Sequence, residues 1–318
     1  MEQIVLLTPP PLDREAIWGD GSLAKKYGAK LAPGIDPDHN HLTGGGGFNE
    51  IDIIDSGEYA GKTLKWLYDN HKEYFGTPDE IRWQDMLPVS AGTLNAGENL
   101  SVQVHPREDW AQEHLGIHGK SECWYILDCP KDATIVRGHN AKTLEELDDY
   151  IARKDWMNLM RFDPIRPGDL LGIKAGTLHA IQKGTQCIEV CNPCPITYRF
   201  WDWDRVGLDG KPRELDIEKT RDNILVPYRP ITFPPIVSHY GDVEEKWLAN
   251  NEDYSVWTYT LNGKGTVPRK KPFIGGFVVE GEGTINGVAV RAGRPFLVSR
   301  GCDEFVLEGN MTVLGCHA

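Results

Sequence analysis

Four residues in three short segments have the types and spacing of a metal centre. Gln103 and His105 lie in Leu100-Ser101-Val102-Gln103-Val104-His105, Glu122 opens Glu122-Cys123-Trp124-Tyr125-Ile126-Leu127, and His179 follows the turn Ala175-Gly176-Thr177. The first segment alternates as a strand does, so Ser101, Gln103 and His105 share one face and Leu100, Val102 and Val104 the other. Gln103 and His105 then sit roughly 6.5–7 Å apart at Cα, close enough to converge on one ion. One carboxylate, two imidazoles and an amide oxygen leave a divalent site with net positive charge. That suits Zn²⁺ as a Lewis acid with an open position. Two histidines and one carboxylate also suit Fe(II) and oxygen chemistry, so an Fe(II) oxygenase stays open on these residues alone. A second His-x-His, His39 and His41, borders a glycine run with no strand pattern and is not expected to bind metal.

The elements that must position these residues are mostly short strands. Residues 87–205 carry strand patterns punctuated by Gly and Pro, as in a sandwich or barrel. A helical insertion interrupts them. Thr143 and Glu146 form a capping box, and Leu144, Leu147 and Ile151 share the face of a helix expected to run to about Met160. Upstream, Leu64, Leu67, Tyr68 and His71 predict a helix over 62–74, and Gly44-Gly45-Gly46-Gly47 reads as a loop. Residues 229–318 form a second strand-rich zone, in which Phe277–Gly287 reads as strand, turn, strand, turn. Arg166-x-Gly168 with Gly176 eight residues on is matched by Arg291-x-Gly293 with Gly301 eight residues on, the spacing two similar barrels would produce.

The net charge of −13 excludes nucleic acid and anionic membrane as partners unless a basic patch is present. The longest basic run is Arg269-Lys270-Lys271, read as a solvated loop. No apolar stretch approaches the roughly 20 residues of a spanning helix, and the N-terminus lacks the pattern of a signal peptide. Seven scattered cysteines fit reduced thiols, so a cytoplasmic location is expected.

Gly97, five residues, Gln103-x-His105 and then Glu122 resemble the first cupin motif. Gly168, five residues, Lys174-x-Gly176-x-x-His179 resemble the second, with Lys174 in place of Pro. At finer grain, 100–109, 119–127 (Gly119-Lys120-Ser121-Glu122 onward), 175–181 and Thr197-Tyr198-Arg199-Phe200-Trp201-Asp202-Trp203-Asp204-Arg205 resemble the type I mannose-6-phosphate isomerases in their short bacterial form. The match is dense from about 87 to 220 and looser at Ile17-Trp18-Gly19, Gly61-Lys62-Thr63-Leu64 and the C-terminal zone.

The resemblance implies a mainly β protein of two cupin jelly-roll barrels. The catalytic one, 1–228, carries the helical insertion; the smaller one, 229–318, is metal-free, with Glu304 where the first has His179. It implies one Zn²⁺ per chain held by Gln103, His105, Glu122 and His179, with Arg199 and Lys120 as active-site cations and Ser101, Lys120 and Glu50 facing a sugar phosphate. The expected reaction interconverts mannose 6-phosphate and fructose 6-phosphate through an enediolate, in a monomer or homodimer. Lys120 is read either as a phosphate contact or, with a lowered pKa, as a proton carrier. The bland reading of Arg199 is an ion pair with Asp202 or Asp204.

Three positions depart from the family pattern. Gly92 stands where the family has a lysine, Phe48-Asn49-Glu50-Ile51 replaces Trp-Glu-x-Ser, and Cys191-Asn192 replaces Gln-Gln. These changes flank the sugar and motivate a third reading, a metal-stabilised sugar-binding protein without turnover. Cys187-x3-Cys191-x2-Cys194 has the spacing of an iron–sulfur motif but spans a strand and a Pro-rich turn. Trp124, Trp201 and Trp203 are expected in the core rather than on a sugar.

Overall fold

In a computed structural model, residues 1–36 and 41–318 are described, and the fold is mainly β. His39 lies outside the described residues. Two five-stranded antiparallel sheets form the first unit. One runs in the order Tyr198–Trp201, Val102–Val104, His179–Ala180, Thr134–His139, Met160–Pro164. The other runs Gly47–Phe48, Ser90–Asn95, Gln186–Cys191, Glu122–Asp128, Leu170–Ile173. Alternation works as expected: Val102 and Val104 are fully buried in a core with Val136, Leu178 and Phe200, while Gln103 faces the other way.

A nine-stranded sheet forms the second unit, built on the long strands Ser255–Pro268, Ile274–Ile285 and Glu304–His317. Ile4–Thr8 joins this sheet, pairing antiparallel with Pro295–Val298 at Ile4↔Val298, and its far end pairs with Ile53–Ile54. The N-terminal strand therefore crosses the boundary expected at 228/229. One core cluster also spans both units, joining Phe48, Val89 and Ile188 to Phe273, Phe277 and Leu314.

Local readings fared unevenly. Thr143 caps Leu144–Ala152 by accepting the Glu146 N–H at 3.2 Å, but Glu146 reaches back to the Lys142 N–H instead of closing the box. The helix stops at Ala152 because Lys154 adopts φ 53, and Trp156–Leu159 is a separate turn. Likewise 62–74 divides into Leu64–Asn70 and a 3-10 turn, Lys72–Tyr74. Residues 274–285 are one bulged strand, not strand–turn–strand: Gly281 takes φ 77 and the register shifts between Val278 and Glu280.

The glycine run is not a free loop either. Gly47 is in a strand, and Gly44 and Gly45 donate to Asn95 Oδ1 and Thr93 Oγ1. A Cβ on Gly45 would fall 2.3 Å from the Leu23 carbonyl oxygen, so only glycine allows this approach. The run 269–271 is only partly solvated: Lys270 is exposed but pairs with the buried Glu245, and Arg269 donates to the Cys302 and Pro272 carbonyls.

The spaced repeat has a structural counterpart. Gly168 and Gly293 occupy matching turns at φ 87 and φ 88, donating to Ile126 O and Val278 O, each 2.8 Å away. A four-residue strand follows each.

Candidate active site

The two sheets of the first unit face each other across the candidate ligands. Gln103 is the Cα partner of both His179 and Arg199, so Arg199, Gln103 and His179 form a row across one sheet. On the other sheet Glu189 is flanked by Gly92 and Trp124, and Cys191 by Ser90 and Glu122. His105 follows directly on its strand.

His105 Nε2 lies 3.2 Å from Glu122 Oε2, and His179 Nε2 lies 3.5 Å from Glu122 Oε1. The ligand atoms of all three fall within 4.8 Å of one another. Each imidazole hydrogen-bonds a backbone carbonyl through its other nitrogen: His105 Nδ1 to Ile196 O at 3.0 Å, His179 Nδ1 to Thr177 O at 2.8 Å. Those bonds fix the tautomer and leave both Nε2 lone pairs directed inward. His105 Nε2 and both Glu122 oxygens are buried without hydrogen-bond partners, which is costly unless an ion completes them.

Gln103 Nε2 stands 3.3 Å from His179 Nε2 and Ser101 Oγ donates to Gln103 Oε1 at 3.3 Å; turning the amide plane would present the oxygen as a fourth ligand. These residues fit a divalent metal. The Cys187, Cys191 and Cys194 thiols form no such cluster among the described residues, since His105, Glu122 and His179 are the one group brought together.

Electrostatics reinforce the arrangement. Burial would raise the Glu122 carboxyl, but Lys120, His105 and His179 outweigh it and hold the group well below the carboxylate range. Burial pushes His179 down to about 4, so its imidazole is neutral and able to bind metal at neutral pH. Lys120 Nζ is 3.0 Å from both Glu122 Oε2 and Glu189 Oε1, although its approach to Glu122 is off the angle of a hydrogen bond. Burial opposes the ammonium charge, and the two carboxylates overcome that and hold its pKa well above the ordinary value. Held between two carboxylates, Lys120 is favoured in its charged form over the lowered pKa considered for it.

A cleft of about 1360 Å³ opens over the cluster, lined by Ser101, Gln103, Lys120, Glu189 and Arg199 among others, and by Glu50 toward one side. Its outer wall comes from Thr8–Arg14 and from 289–294, so the second unit shapes the entrance. Arg199 does not make the ion pair considered for it. Asp202 is taken by Arg205 and Arg213, and Asp204 accepts from the Trp201 indole. Trp124 is 1% exposed and meets His179 edge-on; Trp201 packs on Trp156, and Trp203 donates to Leu100 O. Trp18 is the tryptophan that lines the cleft.

Glu189 was not singled out from the sequence. Its signal was the alternation of Gln186–Cys191, which puts it on the face of Trp124 and the empty side of Gly92, where a Cβ would meet nothing within 4 Å. No helix among the described residues is long and apolar enough to cross a membrane.

A family model for the mannose-6-phosphate isomerase cupin domain matches residues 244–318. The mannose-6-phosphate isomerase ManA of Bacillus subtilis strain 168 is 36% identical over 317 residues, covering 96% of this chain and 97% of that protein. A mannose-6-phosphate isomerase of Streptococcus mutans is 30% identical over 306 residues, covering 95% of each. The crystal structure of the mannose 6-phosphate isomerase from Bacillus subtilis superimposes with a TM-score of 0.88 over 100% of both chains at 29% identity. With this likeness running the full length of the chain, over a cupin-type fold with its ligand set in place, the chain belongs to the mannose-6-phosphate isomerase family.

Proposed function

We propose that this chain interconverts mannose 6-phosphate and fructose 6-phosphate with one Zn²⁺ held by Gln103, His105, Glu122 and His179. The observation that carries the proposal is the convergence of His105, Glu122 and His179, buried directly behind a cleft that Gln103, Lys120, Glu189 and Arg199 line. Zinc supplies Lewis-acid polarisation of the sugar oxygens.

Isomerisation moves one proton between C1 and C2 through a cis-enediolate. Lys120 and Arg199 are cations fixed before substrate arrives, so they stabilise the developing negative charge at little reorganisation cost. Glu189 is the carboxylate beside the cluster that is not a ligand. Lys120 anchors it toward the cleft, and it is positioned to take the proton from one carbon and return it to the other. Ser101 orients the Gln103 amide, and Glu50 faces the sugar from the opposite wall. We propose further that 229–318 is a second, metal-free cupin barrel that supports the cleft entrance, and that the enzyme works in the cytoplasm.

A coupled assay on zinc-loaded protein, with mannose 6-phosphate and free mannose compared, tests this. Turnover of the phosphate ester is expected. Turnover of free mannose alone would mean isomerase chemistry without phosphate recognition, and silence on both with zinc bound would sink the proposal.

A further inference from the structure

Positive charge in the cleft is unevenly compensated. Lys120 is matched by Glu122 and Glu189, and Arg294 by Asp55. At the corner beside Gln103, one buried carboxylate serves two guanidiniums. Arg213 donates to Asp202 through Nε at 2.7 Å and Nη2 at 2.6 Å, and Arg205 through Nε at 3.2 Å and Nη2 at 3.1 Å.

Arg199 adjoins them and makes no ion pair within 4 Å among the described residues. Asp216, which accepts its backbone N–H, lies 3.5 Å from Lys219. Arg199 Nη1 is spent on Glu214 O, while its Nε is buried without a partner. The Arg213 bonds to Asp202 run through Nε and Nη2, which leaves Nη1 outside that pair. Arg199, Arg205 and Arg213 gather about Asp202, the other carboxylate beside Arg199 being Asp216, which is shared with Lys219, and both Arg199 and Arg213 line the cleft.

We propose that Arg213, oriented by Asp202, is the specificity-determining residue for the anionic end of the substrate, presenting its guanidinium beside Arg199 in the cleft wall to a phosphate monoester. Planar guanidiniums with free N–H groups match phosphate oxygens in geometry and charge. The assignment rests on the sugar-phosphate reading of the same cleft. It predicts that Arg213 governs affinity more than chemistry, because the metal ligands lie beyond Arg199.

The test is steady-state kinetics of wild type, Arg213→Gln and Arg213→Lys on mannose 6-phosphate, with thermal shifts of each zinc-loaded protein in inorganic phosphate. Arg213→Gln is expected to raise KM about tenfold or more with kcat within about threefold. Arg213→Lys should recover part of the loss, and the phosphate-induced shift of wild type should vanish in Arg213→Gln. An unchanged KM, a fall confined to kcat, or equal phosphate stabilisation of wild type and Arg213→Gln would overturn the assignment. If wild type turns over no mannose 6-phosphate, the isomerase reading fails, and the phosphate shift still decides the anion site: an Arg213-dependent shift upholds it, no shift overturns it. Should Arg213→Gln not fold, Arg213→Lys carries the same KM criterion.

Discussion

Two buried carboxylates, one in each unit, are treated in opposite ways. Glu122 sits between sheets with two imidazole nitrogens aimed at it and neither oxygen hydrogen-bonded. Glu245, on the strand Val243–Asn250, has a side chain with no exposure and is sealed by Lys270 beneath Trp247 and Tyr240. Both pay the desolvation cost of a charge. Each has one ammonium partner, Lys120 for Glu122 and Lys270 for Glu245, and Glu245 Oε1 also lacks a hydrogen bond, but only on Glu122 do two further nitrogens converge. The difference teaches that a site is marked less by buried charge than by buried charge whose partners converge without satisfying it.

The sharpest way to break this contrast is to remove a ligand. His179→Ala or Glu122→Gln should lose the bound metal and lower kcat by about 10³-fold or more, since a Lewis acid contributes several kcal/mol. Glu304→Ala, at the corresponding place in the second unit, should leave metal content and rate unchanged; equal metal loss there, by elemental analysis, would erase the distinction. Lys120→Met should cost about 10²-fold in kcat with zinc retained, because it removes a cation that acts on the reacting charge.

Lys270→Met tests the sealed side. It leaves Glu245 unpaired and should destabilise the fold by about 2–4 kcal/mol, the lower end reflecting the partial exposure of Lys270, with activity per folded molecule unaltered. Denaturant unfolding measures the first and active-site titration the second.

The smallest effect concerns Asp52, which is 1% exposed and accepts the Asn49 N–H in the loop that carries Glu50. Burial raises its carboxyl to about 8, against the lowering effect of that hydrogen bond. A raised folded pKa means its contribution to stability is full below the unfolded value of 3.8 and is lost as pH climbs through about 8. Asp52→Asn should therefore match wild type near pH 4 and exceed it in Tm by a margin that widens steadily up to pH 8. A constant difference across that range would deny the buried neutral carboxyl.

The metal ligands were legible because they obey a local rule. Period-two alternation placed Gln103 and His105 together, and a turn preceded His179. Glu189 obeyed the same rule, but its meaning depended on Lys120 reaching it from another strand. Arg213 gave no local signal at all, since it lies in an irregular loop and is oriented by Asp202, eleven residues earlier. The C-terminal strands were visible as strands, yet the bulge at Gly281 looked like a turn because glycine permits both. The pairing of Ile4 with Val298 lay beyond any window of sequence, because only assembly brings those residues together.

That pairing bears on how the protein is made. Ile4–Thr8 leaves the ribosome nearly three hundred residues before its partner Pro295–Val298. At about 5–20 residues per second, an apolar strand waits roughly 15–60 s with one edge unpaired. During that interval its N–H and C=O groups are open to any neighbouring nascent chain. The cleft wall formed by Thr8–Arg14 likewise cannot set until residues 295–298 have emerged. Slowing translation between residues 8 and 295 should lower the soluble yield, and nascent chains that end before residue 295 should engage chaperones instead of folding to an active core.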